Sequence, residues 1–310
     1  IEDNALLEKL RYLGQNSNTY FVPYGVSVTE ERIAKACGLQ LIGGTNEKSK
    51  AINNKIFSKK VARNLNFPAA DEIICQSVEE IQTSYAKLSE KYSRVIVKMP
   101  CNSSGQGMWI IDNEKKLKMV CAVITRISRT QKVEEWLVEG WIEKQIDLNL
   151  QVYVSETGYV ETFSVKEQIV EETLYIGSLM PPRLNEQQYK KCVEYGNLVG
   201  KYLYYLGHSG VFGIDALVAK DGTIVPIIEI NGRFTLSTYG SFVTMKYPGK
   251  NLYAFYNRLQ SKTLEYESLK KYLENKNLWL TEKEGILVYN AATVDSSLAS
   301  GRERIFCLAV

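Results

Sequence analysis

At 310 residues the chain is long for one small core and calls for two or three lobes around a shared site. Its 45% apolar and 24% charged residues are ordinary for a globular chain, and a net charge of +3 with no Lys/Arg block argues against nucleic acid. No apolar run is long enough to cross a bilayer and no secretory leader is present, so a membrane is not expected as a partner. Six cysteines without a CxxC pair, and His208 as the one histidine, point away from a zinc site and towards reduced thiols in a cytoplasmic protein. The chain opens on Ile1 rather than on methionine, so its N-terminal unit reads as incomplete.

Residues 1–45 read as the remnant of an α/β domain, with a Thr29-capped helix through Cys37 and a short strand over Leu39–Ile42 closed by Gly43-Gly44. A linking helix follows from Asn46 to Leu65, stopped by Pro68. A small α+β lobe completes 46–134: strand Glu72–Cys75, helix Val78–Lys91, strand Arg94–Met99, a small-residue loop at 101–107, strand Met108–Ile111 and a helix capped by Asn113. The larger lobe, 135–250, holds strands Glu135–Ile142, Leu148–Val154 and Tyr159–Ile169, then a loop at Pro181-Pro182 and the helix Glu186–Leu206. Val211–Ala219 and Thr223–Asn231 form a hairpin through Asp221-Gly222. In the C-terminal segment, 251–310, two helices are expected near 251–260 and 265–275, then a closing strand pair, Gly285–Ala291 with Ile305–Val310.

The chemistry concentrates in Ile227-Ile228-Glu229-Ile230-Asn231-Gly232-Arg233-Phe234. Side chains alternate faces in a strand, so Glu229, Asn231 and Arg233 share one side and Ile228 and Ile230 the other. With Asp215 from the hairpin partner, two carboxylates and a carboxamide make hard oxygen ligands suited to magnesium. Arg233 beside them suits a phosphoryl group or a carboxylate. Taken alone, Asp215 and Glu229 read equally well as solubilising charges on a half-exposed strand. Lys98 ends an apolar strand just before the loop Cys101–Gly107, whose Ser103, Ser104, Gly105, Gln106 and Gly107 offer backbone N–H groups to phosphates as a flap. That loop lacks the Walker lysine and is neither a P-loop nor a Rossmann fingerprint. Lys55 by itself is a solvated helix charge. Glu139-Gly140-Trp141-Ile142 ends an apolar strand between lobes, where backbone groups and the acid suit an adenine, with Asp147 or Asn149 at ribose hydroxyls. His208 lies in a helix-exit loop with no Ser or Asp partner and reads as a turn residue, so triad hydrolysis is not indicated.

In this order Lys55, Lys98, the Ser/Gly flap, Glu139, Asp215 and Glu229-Ile230-Asn231-Gly232-Arg233 resemble the ATP-grasp superfamily, over about residues 45–242. The resemblance implies the ATP-grasp fold, two α+β lobes sandwiching ATP after a partial α/β domain. It implies Lys55 and Lys98 at the phosphates beneath the 102–107 flap, Glu139 to Ile142 at adenine and Asp147 at the ribose. Asp215, Glu229 and Asn231 would hold Mg2+, with Mn2+ as the alternative ion, and Arg233 would act at the reacting phosphoryl group. Two departures stand out: Gly140 replaces a second acid of many members, and the flap has only two glycines. The C-terminal segment is similar to that of amino-acid and peptide ligases of bacterial secondary metabolism, including the glutamate:carrier-protein ligase of butirosin assembly.

That resemblance implies an ATP-dependent ligase releasing ADP and phosphate. It would activate a small carboxylate, an amino acid, as an acyl phosphate and pass it to an amine or to an acyl-carrier-protein thiol. Arg183 and Arg302 are the loop arginines that suit the substrate carboxylate. A nucleotide-binding module without turnover and an AMP-forming ligase are the competing readings.

Overall fold

The computed structural model describes residues 3–15, 19–101, 107–131, 133–171, 174–258, 265–290 and 304–310. The expectations for Asn102, Ser103, Ser104, Gly105, Gln106 and Arg302 fall outside these residues. The N-terminal segment has helix α1 (Asn4–Gly14), strand β1 (Tyr20–Phe21), helix α2 (Val28–Cys37) and strand β2 (Gln40–Leu41), with β1 parallel to β2. Ser27, not Thr29, caps α2, because Glu30 reaches back to the Ser27 N–H and completes a capping box.

The expected helix over Asn46–Leu65 is two helices, α3 (Asn46–Ile52) and α4 (Lys55–Asn64). Asn53-Asn54 breaks it. The Asn54 side chain accepts from the Ile56 N–H as a new cap, while Asn53 Oδ1 accepts the Gly232 N–H at 3.0 Å. The break therefore docks the linker on the strand that carries the expected metal ligands.

The small lobe contains β3 (Glu72–Cys75), α5 (Val78–Ser89), β4 (Val95–Lys98), β5 (Met108–Ile111), α6 (Glu114–Gln131) and β6 (Trp136–Gly140). Its sheet order is β3-β6-β4-β5, antiparallel throughout. Strand alternation divides it: Val95, Val97, Trp136 and Val138 pack with Ile81 and Ile124 of the helices, while Ile96, Lys98 and Glu139 face the other lobe's cavity.

The second sheet has eight strands in the order β11-β10-β7-β8-β9-β12-β14-β13. These are β7 (Lys144–Val154), β8 (Val160–Glu171), β9 (Leu174–Met180), β10 (Gly210–Ala219), β11 (Ile224–Asn231), β12 (Leu252–Arg258), β13 (Ile286–Asn290) and β14 (Arg304–Ala309). Helix α7 (Glu186–Tyr205) covers one face, where Val199 and Leu203 meet Leu148, Leu150, Phe212 and Ile214. Helix α8 (Leu236–Lys246) contacts β7 and β8, and α9 (Tyr266–Asn275) packs near the far end.

The helix expected at 251–260 is instead β12, antiparallel to β9 and β14. Leu252 and Ala254 are buried and Tyr253 is exposed, which is strand alternation in a Tyr/Phe-rich run. The closing pair forms as expected, and through β12 it extends the large sheet. Strand β9 and helix α8 were not anticipated. All six cysteines are free thiols, and among the described residues no helix is long and apolar enough to cross a membrane.

Candidate functional site

The two sheets enclose a cavity of about 620 Å³. One end is lined by Ala70, Ile96, Met108 and the hinge residues Glu139, Gly140, Trp141 and Ile142. The middle carries Lys59, Lys98, Asp147, Asn149, Asp215, Glu229 and Asn231. The other end carries Arg233, Tyr24, Tyr175, Phe306 and the first turn of α8. Most of the residues singled out in the sequence thus meet in one continuous space.

At the hinge Glu139 is 2% exposed and lies between two ammonium groups, Lys59 Nζ at 2.5 Å and Lys98 Nζ at 2.5 Å. Burial alone would raise its pKa, but the two lysines hold it down, at about 2. Glu139 is therefore a carboxylate that spaces two cations at the cavity wall. Lys59 was missed in the sequence; its signal was the four-residue spacing from Lys55, which puts both on one face of α4. Lys55 is itself buried and pairs with Glu229 Oε1 at 3.1 Å, beside the expected metal ligands.

Gly140 replaces the expected acid for a steric reason. A Cβ there would lie 2.3 Å from the Tyr92 ring, and the Tyr92 hydroxyl accepts the Asp71 N–H. Trp141 is held by its backbone N–H to the Arg94 carbonyl, with Arg94 and Lys144 over its ring at 5.0 and 5.8 Å. Asp147 lines the cavity and pairs with Lys144 at 2.5 Å. Gly107 is left-handed at φ 69 and accepts the Met99 N–H, which fixes the base of the flap.

Asp215 and Glu229 are register partners on β10 and β11, immediately beside a bulge that frees Pro226 from the regular ladder. Asp215 is held by three amides: Asn149 Nδ2 at 2.9 Å and Gln168 Nε2 at 3.0 Å donate to Oδ1, and Asn231 Nδ2 at 3.1 Å donates to Oδ2. Burial, and then the charge of Glu229, push its pKa up to about 6. Two facing carboxylates, Asp215 and Glu229, and an adjacent carboxamide suit a hard divalent cation, which would relieve their repulsion. A half-turn of the Asn231 amide would put its oxygen beside Asp215. Among the described residues no three His, Cys, Asp or Glu side chains cluster in a way that could hold a metal ion.

Arg233 donates to Asn231 Oδ1 at 3.1 Å and to the Phe234 carbonyl at 3.1 Å, and lies over the Tyr24 ring at 5.8 Å. The intervening Gly232 is required by packing, since a Cβ would lie 2.9 Å from Ile52. Behind Arg233 a buried polar ladder runs from Asn149 through Gln151 to Thr235 and Thr238 at the start of α8. Lys166, wholly buried, donates to the Ser237 carbonyl, and burial holds its pKa well below the ordinary value. Neither Lys166 nor the ladder was anticipated.

Arg183 is engaged elsewhere: it forks onto Glu167, with its side chain 74% exposed. His208 is buried against Phe212 with no hydrogen-bond partner at either ring nitrogen, outside the cavity lining. It lies in the helix-exit loop, as expected, with its ring turned into the interior.

The profile of the family described as L-aspartate–L-methionine ligase, ATP grasp, matches residues 95–231. The [butirosin acyl-carrier protein]–L-glutamate ligase of Niallia circulans is 30% identical over 190 residues, 61% of this chain and 44% of that protein. The chain thus spans less than half the length of this curated relative. An N5-carboxyaminoimidazole ribonucleotide synthetase bound to ADP superposes with a TM-score of 0.69 at 17% identity, covering 99% of this chain and 79% of the other. The biotin carboxylase domain of Hydrogenobacter thermophilus 2-oxoglutarate carboxylase, solved with MgADP, ADP and bicarbonate, gives 0.68 at 17% identity, covering 91% and 67%. Residues 95–231 are thus similar to an ATP-grasp ligase family, and the fold of the chain is that of the two ADP-bound structures.

Proposed function

We propose that the protein is an ATP-dependent ligase that activates an amino-acid carboxylate as an acyl phosphate, releasing ADP, and passes the acyl group to an amine or a carrier-protein thiol. The observation that carries this reading is the unbroken cavity from the hinge, past the Asp215–Glu229–Asn231 cluster, to Arg233 and α8. Adenine fits between Ile96, Ala70 and the hinge, and the ribose beside Asp147. The phosphates then reach Lys98 and Lys59, both ion-paired to Glu139. A cation bound by Asp215, Glu229 and Asn231, Mg2+ or Mn2+, would supply charge neutralisation for the transferring group. Arg233, already oriented through Asn231, receives the carboxylate bidentately beside the γ-phosphate. Positioning and charge carry such a transfer, and no covalent help from the protein is needed. An acidic amino acid is the favoured substrate, because both named ligases above take one, L-aspartate or L-glutamate.

The test is to identify the nucleotide product over a panel of amino acids, with hydroxylamine to trap the acyl phosphate. ADP with hydroxamate supports the reading, and AMP rejects it. Tight ATP binding with no turnover favours a nucleotide-binding module. Glu229→Gln keeps a hydrogen-bonding partner for Lys55, so the fold should persist while ADP formation falls by about 10²-fold or more. Near-normal turnover in that variant would overturn the metal assignment.

A further inference from the structure

Helix α8 buries Ser237, Thr238, Gly240 and Ser241, with Thr238 on the polar ladder and Gly240 against Met180 and Leu308, and leaves Tyr239, Phe242 and Met245 exposed by 43, 52 and 57%. These three recur at three-residue spacing, so they form one strip along the helix. The strip is preformed: Phe242 stacks on Phe163 at 5.9 Å, and Tyr239 meets Tyr289 at 6.3 Å. Exposed aromatic and methionine side chains gathered on one face mark an interaction site more than a random surface does.

The charge that α8 itself carries is one-sided: Lys246 and Lys250 are exposed at its end, and residues 236–250 contain no Asp or Glu. The whole chain is nearly balanced, 38 basic against 35 acidic, so this bias is local. At its other end the same helix enters the cavity, where Leu236 and Ser237 are part of the lining. Six residues separate Leu236 from Phe242, about 9 Å along the axis.

We propose that the Tyr239–Phe242–Met245 face of α8, with Lys246 and Lys250, docks a small acidic carrier protein that sends its acceptor thiol along α8 into the cavity on a flexible arm. This inference rests on the ligase reading above. A second copy of the chain is disfavoured as the occupant, because an isologous contact would set this basic face against itself. An acidic partner with an apolar centre meets both features of the surface. The short span to Leu236 suits a tethered acceptor, since the partner's body stays outside while its arm reaches the acyl phosphate. The thiol sulfur then attacks the acyl carbon, phosphate leaves, and the thiol proton passes to phosphate or solvent.

The test uses the whole chain, its Lys246→Glu/Lys250→Glu and Phe242→Ser variants, and the butirosin acyl-carrier protein in its phosphopantetheine form as the probe. Binding is read by fluorescence anisotropy at low and high salt, and acyl phosphate separately by hydroxamate formation. The expected result is binding by the parent chain that weakens steeply with salt, a drop of tenfold or more in both variants, and unchanged hydroxamate yield. No binding by the parent chain, equal binding by the variants, or an equal loss of hydroxamate in the variants overturns the proposal. So does self-association of the chain that the same variants abolish. Absence of hydroxamate from the parent chain with every amino acid would instead overturn the ligase reading, while the binding measurements still decide the docking surface.

Discussion

Glu139 shows how one residue can serve both the fold and the site. Its carboxylate joins α4, through Lys59, to β4, through Lys98, and so fixes where two cations stand at the cavity wall. Replacing it with glutamine removes the charge and leaves two buried ammonium groups facing each other. Glu139→Gln should cost about 3–5 kcal/mol of stability, read by denaturant unfolding at neutral pH. ATP should recover part of this, because its phosphates pair the same lysines; a variant as stable as the parent would sink the idea. The sign of the pH effect follows. Glu139 is depressed to about 2, so its contribution is complete above the ordinary carboxylate range and is lost as pH falls through about 2.

At the scale of elements, the first turn of α8 lines the cavity together with Arg233. Its start is held by Thr235 and Thr238, and Thr238 Oγ1 donates to Gln151 Oε1 at 2.6 Å. Thr238→Val keeps the shape but strands the buried Gln151 oxygen, and should cost about 1–3 kcal/mol. The same change should raise KM for the acid more than KM for ATP, measured by ADP release; an equal change in both would count against α8 as the substrate wall. This element also marks what the sequence leaves hidden. The hairpin, its Asp215–Glu229 pairing and most small-lobe elements were legible, because apolar alternation and Asp221-Gly222 announce them locally, but the strand at Glu135–Ile142, expected in the larger lobe, is β6 and lies between β3 and β4 of the small one. Helix α8 carries no apolar stripe on its buried side, part of which faces a polar ladder from a strand over eighty residues away in sequence. Likewise β12 alternates correctly, but its partners β9 and β14 come from distant parts of the chain. Lys59 and Lys166 were illegible for a related reason: a lysine in sequence reads as solvated, and only tertiary packing buries it.

Across the whole molecule, two buried titrating groups at different seams should give stability an unusual dependence on pH and magnesium. Asp215 lies between the lobes, and its pKa is raised from the usual carboxylate range to about 6. The native state therefore keeps a proton that the unfolded chain loses between about pH 4 and 6, and stability from this group falls as pH rises through that window. His208 lies under the N-terminal segment, near Gly44, and burial, with the nearby Lys48, lowers its pKa to about 4. Here the unfolded chain holds the extra proton between about 4 and 6.5, so stability from this group rises with pH. Each effect is on the order of 3 kcal/mol, and they oppose each other. Mg2+ should bind only when Asp215 is ionised, and should therefore remove the falling limb and leave the rising one. Chemical denaturation between pH 4.5 and 6.5 should show a shallow profile without Mg2+ and a steeper, rising one at saturating Mg2+. The Mg2+ increment should grow with pH, level off above about 6, and be lost in Asp215→Asn. An increment that is independent of pH, or that survives in Asp215→Asn, would mean that the cation is held elsewhere.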